Sequence, residues 1–314
     1  MIIEGLQVPP FNTTLMGVVR GVTDLYGYSY SDAMLYGGTG HAFAMNIHEG
    51  LCPSGPYCWK SERFDALLRN LGVVRTDLGF FSSESSASER VAVEATIKEH
   101  LDRGQPCALA NMENQLITGY DDTGFLTSQP WLPHADFPPG HLTWGSWAEL
   151  GEEIHINFFT FERVPPAGAP DIVLESIECA VDMSRHPESY TDEPYGFGPL
   201  AYEKWIGAVE KGHGSEHGNW WNGTVWAECR ARASDYLREL GQLHPELGQS
   251  MTGLAESYAA IADHLAKASD KELDDAEKIR LLRESAAIER DCVEGLGNLT
   301  AELSGRLAAA AAST

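Results

Sequence analysis

The segment at residues 164–170, Val-Pro-Pro-Ala-Gly-Ala-Pro, divides the chain into two parts with different hydrophobic spacing. Its prolines remove backbone donors and favour a stiff, extended linker. Before it, helical and alternating segments are mixed, whereas after it apolar residues recur at intervals of three and four. The sequence therefore predicts an α+β domain at residues 1–164 followed by an all-helical domain at residues 170–314.

Charge and composition narrow the classes of partner. The chain has 314 residues, of which 46 are acidic and 22 are basic, so its formal net charge is −24. Nucleic acid and anionic membranes both need a basic surface, so we expect neither as a partner. A small cationic molecule, such as an amino sugar or a polyamine-like amine, would be attracted instead. Oligomer formation is left open.

The location follows from what opens the chain and from its cysteines. No basic start with an apolar core and a cleavage site opens the sequence, and no segment has the length of a membrane helix. The six cysteines are scattered, which is typical of reduced thiols rather than a disulfide framework. A cytoplasmic protein is therefore expected.

Local patterns predict the elements of both parts. Residues 12–36 carry a helical pattern that Gly27 is expected to end, with one apolar side formed by Leu15, Val18, Val19, Val22 and Leu25. Further helices are predicted at 61–71 and 88–101, strands at 106–110 and 154–161, and a long Pro- and Trp-rich loop at 130–147. The helical part is predicted to contain helices at 171–183, 201–210, 224–240, 245–268 and 271–307.

Residues 114–130 predict a β-hairpin. Residues 114–120 suit a buried strand, and the turn cluster Asp-Asp-Thr-Gly follows at 121–124. An extended run resumes at 125–127 before Pro130 stops it. Asp121 and Asp122 are most simply turn residues.

The order of these segments resembles the papain-like fold of bacteriocin-leader peptidases and of the butirosin-H-like acyltransferases. Residues 31–43 are similar to that family's serine-acid run and its Gly-x-Ser/Thr-Gly-x-Ala-Phe segment. The helical part is similar to the family's helical tail, including the run of Trp226, Arg230, Tyr236 and Leu237. The resemblance implies a papain-like first domain, a small acyl or carrier-bound substrate and a role in specialised metabolism such as antibiotic biosynthesis.

The catalytic positions of that family hold other residues in this chain. Family members open the first helix with a nucleophilic Cys, where this chain reads Phe-Asn-Thr-Thr at 11–14. The family's hairpin typically carries a catalytic His and an Asp or Asn that orients it. Here those positions hold Gln115 (or Asn114) and Gln129, whose amides take no proton at neutral pH. The resemblance thus predicts a polar pocket without a Cys–His pair.

The resemblance also assigns residues to this pocket. It places the catalytic positions at Thr13, His41, Gln115 and Gln129, all facing one cavity. Substrate contacts are predicted at Asn12, Gly38, Gly40, Phe43, Asn114, Tyr120 and Trp131. The residues themselves allow plainer interpretations: Asn12, Thr13 and Thr14 are ordinary helix N-cap residues, and the pattern around His41 favours a structural, hydrogen-bonded histidine over a general base.

Three other features have a functional and a structural interpretation. Cys52, four residues after His48, could be a relocated nucleophile, although a Cys before Pro in a loop is usually structural. His213 and His217 have the spacing of a helical zinc pair, but the surrounding glycines favour a flexible loop. The Trp220–Trp221 pair is expected to cover a domain interface rather than to stack a ligand. The glycines at 37–40 lack the Lys-Ser/Thr of a phosphate loop, so no cofactor and no metal are predicted.

Three hypotheses for function follow. The first is a specialised-metabolism protein that binds or transforms a small acyl- or amine-type substrate without a Cys–His pair. The second is a non-catalytic binding or scaffold protein. The third is an acyltransferase or amide hydrolase with an unusual nucleophile, Thr13 or Cys52.

Overall fold

The computed structural model describes residues 1–131, 138–147 and 155–311, and its contacts divide the chain into two compact units. The first unit comprises Met1–Tyr30 and Gly72–Pro166, and the second comprises Ser31–Leu71 and Ala167–Thr314. Residues 31–71 therefore belong to the same compact unit as the C-terminal helices. The division into domains at 1–164 and 170–314, which was based on the Pro-rich linker, stays a prediction.

The first unit is built on an antiparallel sheet. Its strands are β2 (Val73–Ser82), β3 (Cys107–Asn111), β4 (Glu113–Tyr120), β5 (Gly124–Ser128), β6 (His141–Thr143) and β7 (His155–Arg163), in the spatial order β2-β7-β3-β4-β5-β6. Two helices accompany them, α1 (Thr14–Leu25) and α4 (Ala87–Asp102). The sheet's core is apolar, with Leu109, Leu116, Ile117 and Phe158 fully buried.

Helix α1 forms as its pattern predicts. Leu15, Val18, Val19 and Val22 are buried, and the helix packs on β4. It ends at Leu25, two residues before Gly27, whose φ of 77° is a left-handed conformation that glycine adopts without strain. The expected end of this helix is confirmed.

The second unit is mainly helical. It contains α2 (Asp32–Gly38), α3 (Glu62–Asn70), α5 (Ala169–Arg185), α6 (Pro199–Glu210), α7 (His217–Leu243), α8 (Gly248–Ala268) and α9 (Asp275–Ala311). The two short strands β1 (Asn46–His48) and β8 (Tyr195–Phe197) pair antiparallel. Within the described residues, β8 is the one strand that follows the linker. The α+β class with a helical C-terminal part is confirmed.

Several local expectations differ from the structure. Strand β2 is not anticipated by the sequence analysis, and β6 lies inside the stretch interpreted as a loop at 130–147. The glycine-rich stretch at 37–40 is partly helical, because α2 runs through Gly38. Residues 132–137 of the predicted loop and Ile154 of the predicted strand lie outside the described residues. Within the part of the chain that is described, no helix is both long and apolar enough to cross a membrane.

Candidate functional site

The start of α1 meets the start of β4 in a buried polar contact. Thr14 is the first residue of the helix and is 1% exposed, and Glu113 and Asn114 open the strand at 7% exposed each. The Thr14 hydroxyl donates to Glu113 Oε2 at 2.9 Å. It accepts from the Asn114 backbone N–H at 3.0 Å and from Asn114 Nδ2 at 3.3 Å.

These contacts use the whole bonding capacity of the Thr14 hydroxyl. A hydroxyl has one proton to donate and two lone pairs that accept. The proton points at Glu113, and both lone pairs receive donors from Asn114. A nucleophile attacks through a lone pair, so the hydroxyl in this state is a strut between helix and strand and not a primed nucleophile. Thr13, the predicted slot, is the N-cap residue immediately before it.

Two glutamines of the hairpin, Gln115 and Gln129, both hydrogen-bond to the neighbouring residues Pro138 and Pro139. Gln115 Nε2 donates to the carbonyl of Pro139 at 2.9 Å, and Gln129 Nε2 donates to the carbonyl of Pro138. The Thr127 hydroxyl, opposite Ile117 in the β4–β5 register, also donates to the Pro139 carbonyl. The proline carbonyls are thus satisfied by side-chain donors and not by a backbone ladder. The structure thus brings Gln115 and Gln129 together on the residues that lead into β6.

Gln115 also retains an acceptor without a partner. The residue is fully buried, and its Oε1 makes no hydrogen bond with any described residue. The Nε2 contacts with a carbonyl and with Thr127 Oγ1 fix which end of the amide is the nitrogen. A buried, unpaired amide oxygen is costly, so this atom is a natural acceptor for a donor group on a ligand or a water molecule.

The turn of the hairpin forms as predicted. Asp121 Oδ1 accepts from the Thr123 backbone N–H at 2.7 Å, from the Thr123 hydroxyl at 2.7 Å and from the Gly124 N–H at 2.9 Å. The hydrogen bonds from Thr123 hold the pKa of Asp121 well below its usual range. The carboxylate is therefore committed to the turn.

The other predicted substrate contacts of the first unit lie around these elements. Asn12 is half-buried, two residues before α1. Tyr120 ends β4, and its hydroxyl donates to Asp102 Oδ1 at 2.8 Å, which raises the pKa of the phenol. Trp131 is half-buried beside Pro130 at the edge of the described residues.

His41 lies in the second unit, inside a cluster of rings. It is 1% exposed and opens a 3₁₀ turn at His41–Phe43. Its ring centroid is 5.4 Å from that of Trp59, 5.7 Å from Phe64 and 6.2 Å from Trp226. Gly38 and Gly40, predicted to contact substrate, are buried against Leu71 and Cys179, and Phe43 packs on the ring of Tyr258. A single cavity shared by Thr13, His41, Gln115 and Gln129 stays a prediction.

A buried ion pair supports the His41 turn. Arg230 is fully buried, its Nη2 lies 2.6 Å from Glu289 Oε1, and its Nη1 donates to the carbonyls of Ala42 and Ala44 at 3.0 and 2.8 Å. Burial lowers the pKa of Arg230, but the Glu289 carboxylate together with Tyr202 and Tyr258 raises it by more, so the guanidinium stays charged. The Tyr202 hydroxyl donates to the same carboxylate at 2.5 Å.

The cysteines differ in burial. Burial raises the pKa of Cys107 to about 12, that of Cys179 to about 11 and that of Cys292 to about 12, so these thiols are protonated at neutral pH. Cys52 and Cys58 are exposed, in a loop that Asn222 holds by donating to the Cys52 carbonyl at 3.0 Å. His48 Nδ1 accepts from the Gly50 N–H at 3.0 Å, a contact local to its own turn.

The two histidines considered as a zinc pair are not on one helix. His213 lies in a 3₁₀ turn, its Nδ1 is 3.0 Å from Glu216 Oε1, and His217 begins α7. Among the residues described, no group of three or more His, Cys, Asp or Glu side chains is arranged to hold a metal ion.

Sequence reasoning missed the residues that carry the contact between α1 and β4. It named Thr13 and Asn114 but neither Thr14 as the bonded hydroxyl nor Glu113 as its acceptor. A signal was present, because Glu113 directly precedes a run of residues suited to a buried strand. An acidic residue entering such a run needs a donor.

No protein-family model matches the sequence, and a search of the curated proteins finds no significant match. The function is therefore argued from the side chains and their contacts.

Proposed function

We propose that this chain is a cytoplasmic protein of specialised metabolism, with a papain-like first domain, that binds a small amine-bearing substrate without covalent chemistry. The observation that carries the proposal is the saturated hydroxyl of Thr14, one residue after Thr13, the position that the resemblance assigns to the nucleophile. With its proton and both lone pairs engaged, the Thr14 hydroxyl joins α1 to β4 and is not poised for attack.

A buried acceptor atom and the negative net charge of the chain both support an amine-bearing substrate. Gln115 Oε1 is buried without a donor among the described residues, and ammonium and amine groups are donors that would satisfy it. The net charge of −24 raises the local concentration of cations. An amino sugar or a polyamine-like amine fits both features.

The test is a calorimetric titration with spermidine and with neamine, a small amino sugar. Binding by the wild-type protein is expected, and Gln115→Leu should weaken it at least tenfold, because the amide acceptor is lost (about 1.4 kcal/mol for each factor of ten). Gln242→Leu, an exposed glutamine on α7, serves as the matched control and should bind as the wild type does. Equal affinities for the two variants, or no binding by the wild type, would rule out this site.

Covalent chemistry is tested separately with an acyl thioester of N-acetylcysteamine. Intact-protein mass spectrometry should find no acyl adduct. An adduct mapped to Thr14 would contradict the strut interpretation.

A second candidate, acyl transfer through a relocated nucleophile, is favoured by the exposed thiol of Cys52. An adduct mapped to Cys52 that disappears in Cys52→Ser but persists in Cys58→Ser would establish it. Iodoacetamide labelling of the native protein should then also abolish activity. Under the first proposal, labelling of Cys52 and Cys58 leaves binding intact.

A further inference from the structure

A surface hollow in the second unit lies away from the residues discussed so far. It has a volume of about 500 Å³ and is lined by His217, Trp220, Ser269, Asp270 and Lys271. The first turn of α7 forms one wall, and the turn that follows α8 forms the other. This volume lies within the range of small-molecule sites, which runs from about 300 to 1,000 Å³.

Buried contacts fix the two walls against each other. Asn219 is fully buried, and its Nδ2 donates to the carbonyl of Ala268 at 2.9 Å while its Oδ1 accepts from Trp205 Nε1 at 2.8 Å. These bonds join the first turn of α7 to the end of α8 and to α6. The first turn of α7 is therefore fixed against the end of α8, and Asp270 and Lys271 lie in the exposed turn that follows.

The surface of the hollow combines a flat ring with positive charge. The Trp220 side chain is 38% exposed, its ring centroid is 5.2 Å from that of His217, and the Lys271 ammonium lies 5.8 Å from the ring centroid. Lys271 forms no ion pair with any residue in the described ranges. Asp270, the acid in the hollow, accepts from the Glu272 backbone N–H at 2.9 Å and so stabilises its own turn.

We propose that this hollow binds a small organic anion that carries a flat ring. The ring stacks on Trp220, and the anionic group pairs with the Lys271 ammonium. The ammonium lies 5.8 Å from the indole centroid, so it is within reach of an anionic group on a ring that stacks on the remaining surface of Trp220. A cationic ligand on the same ring would be repelled by Lys271, so this site differs in ligand from the amine site proposed in the first unit.

The ligand chemistry is tested with four probes by isothermal titration calorimetry at low salt. Adenosine 5′-monophosphate carries a ring and an anion, adenosine carries the ring alone, and inorganic phosphate carries the charge alone. Benzoate carries a ring with a carboxylate. The monophosphate should bind about tenfold more tightly than adenosine or phosphate, since stacking and charge pairing each add affinity. Benzoate binding as tightly as the monophosphate would identify a carboxylate ligand and a preference for the monophosphate a phosphorylated one, and either supports the proposal.

Variants assign the two interactions to residues. Trp220→Ala should weaken both the monophosphate and adenosine about tenfold, because a stacked base loses its surface. Lys271→Met should weaken the monophosphate about fivefold and leave adenosine unchanged, whereas Lys271→Arg keeps the affinity. Lys211→Met removes an exposed lysine at the end of α6 and is the matched control, with all affinities unchanged.

Three outcomes would overturn the proposal. One is a monophosphate affinity no greater than that of adenosine or phosphate. Another is an equal effect of Lys271→Met and Lys211→Met, which would indicate charge attraction without a site. A third is spermidine binding that Trp220→Ala weakens and Lys271→Met strengthens, which would make the hollow a cation site. Trp220→Phe retains a ring and provides a second variant if Trp220→Ala unfolds.

Discussion

Thr14 can be changed to valine with almost no change in side-chain shape, so its hydroxyl can be tested alone. Thr14→Val removes the hydrogen bond that Thr14 donates to Glu113 Oε2 and the acceptor of the Asn114 donors, all in a buried setting. Each group left unsatisfied costs about 1–3 kcal/mol of unfolding free energy. We expect a clear drop in the urea midpoint.

The control for this prediction is Thr96→Val. Thr96 is a half-buried helical threonine whose hydroxyl donates to the Ala92 carbonyl at 3.1 Å, and its change should cost less than about 0.5 kcal/mol. Thr14→Ser should retain most of the stability. Similar urea midpoints for Thr14→Val and Thr96→Val would mean that the strut between α1 and β4 contributes nothing.

Arg230 provides a second test at the scale of single residues. Arg230→Met removes the cationic partner of the Glu289 carboxylate, 11% exposed, which keeps the Tyr202 hydroxyl as a donor, and it removes the donor to the carbonyls of Ala42 and Ala44. Removing one partner of a buried pair costs about 3–5 kcal/mol. Denaturant unfolding should detect this loss. Replacing Glu289 by leucine in the same chain should recover part of it, because the buried negative charge is then gone.

Arg283→Met is the matched control for Arg230. Arg283 and Glu210 form an ion pair at 3.2 Å in which both side chains are more than half exposed, so its loss should cost about 0–1 kcal/mol. Comparable losses for Arg230→Met and Arg283→Met would contradict the role assigned to the buried pair.

At the scale of elements, the spacing of apolar residues predicted the helices whose buried side follows a regular repeat. Helix α8 was expected at 245–268 from Leu254, Tyr258, Ile261 and Leu265, and all four are buried on the observed helix. Strand β2 was missed, because a bulge between Asp77 and Phe80 breaks its alternation. The Thr14–Glu113 bond joins residues 99 positions apart, so no local pattern contains it.

Two glycines in neighbouring helices predict opposite effects of the same substitution. A Cβ on Gly223 of α7 would lie 2.3 Å from Ser269 Cβ and 3.0 Å from its Cα, so Gly223→Ala must move α7 away from the end of α8. Overpacking of this kind costs about 1–3 kcal/mol. A Cβ on Gly253 of α8 meets nothing within 4 Å, so Gly253→Ala should stabilise the helix by about 0.5–1 kcal/mol.

The melting temperatures of the two variants are compared with that of the wild type by thermal unfolding. The melting temperature should fall for Gly223→Ala and rise for Gly253→Ala. If both rose, the close approach of α7 to Ser269 would not be a constraint, and the wall of the proposed anion hollow would be softer than its contacts indicate.

At the scale of the whole molecule, the two compact units are not consecutive in sequence. Residues 31–71, which precede the linker at 164–170, belong to the same unit as the helices that follow it. Their place depends on contacts such as that of Arg230 with the Ala42 carbonyl, 188 residues apart. No change in composition at residue 31 or 71 marks the ends of this segment. The helices there are amphipathic whichever neighbour their apolar side packs against.

Many buried thiols and phenols give the protein a pH dependence of its own. Burial raises the pKa of Cys107, Cys179 and Cys292 from 9.0 to about 12, 11 and 12. Burial, followed by the Glu289 carboxylate, also raises the pKa of Tyr202 and Tyr258 well above 10.0. In each case the folded state favours the neutral form more strongly than the unfolded state does.

The sign of the effect follows from proton binding. Between the unfolded and folded pKa of each group the folded state holds the proton and the unfolded state has released it, so stability falls as pH rises. The contribution is fully present below about pH 9 and is lost toward pH 12, at about 1.4 kcal/mol per pH unit for each group. Guanidinium unfolding at pH 8, 9, 10 and 11 should give steadily lower midpoints above pH 9. Tyr258→Phe removes one of these groups and should make the decline above pH 10 less steep. A midpoint that stays constant from pH 8 to 11, or an unchanged slope in Tyr258→Phe, would contradict the burial of these groups in the folded protein.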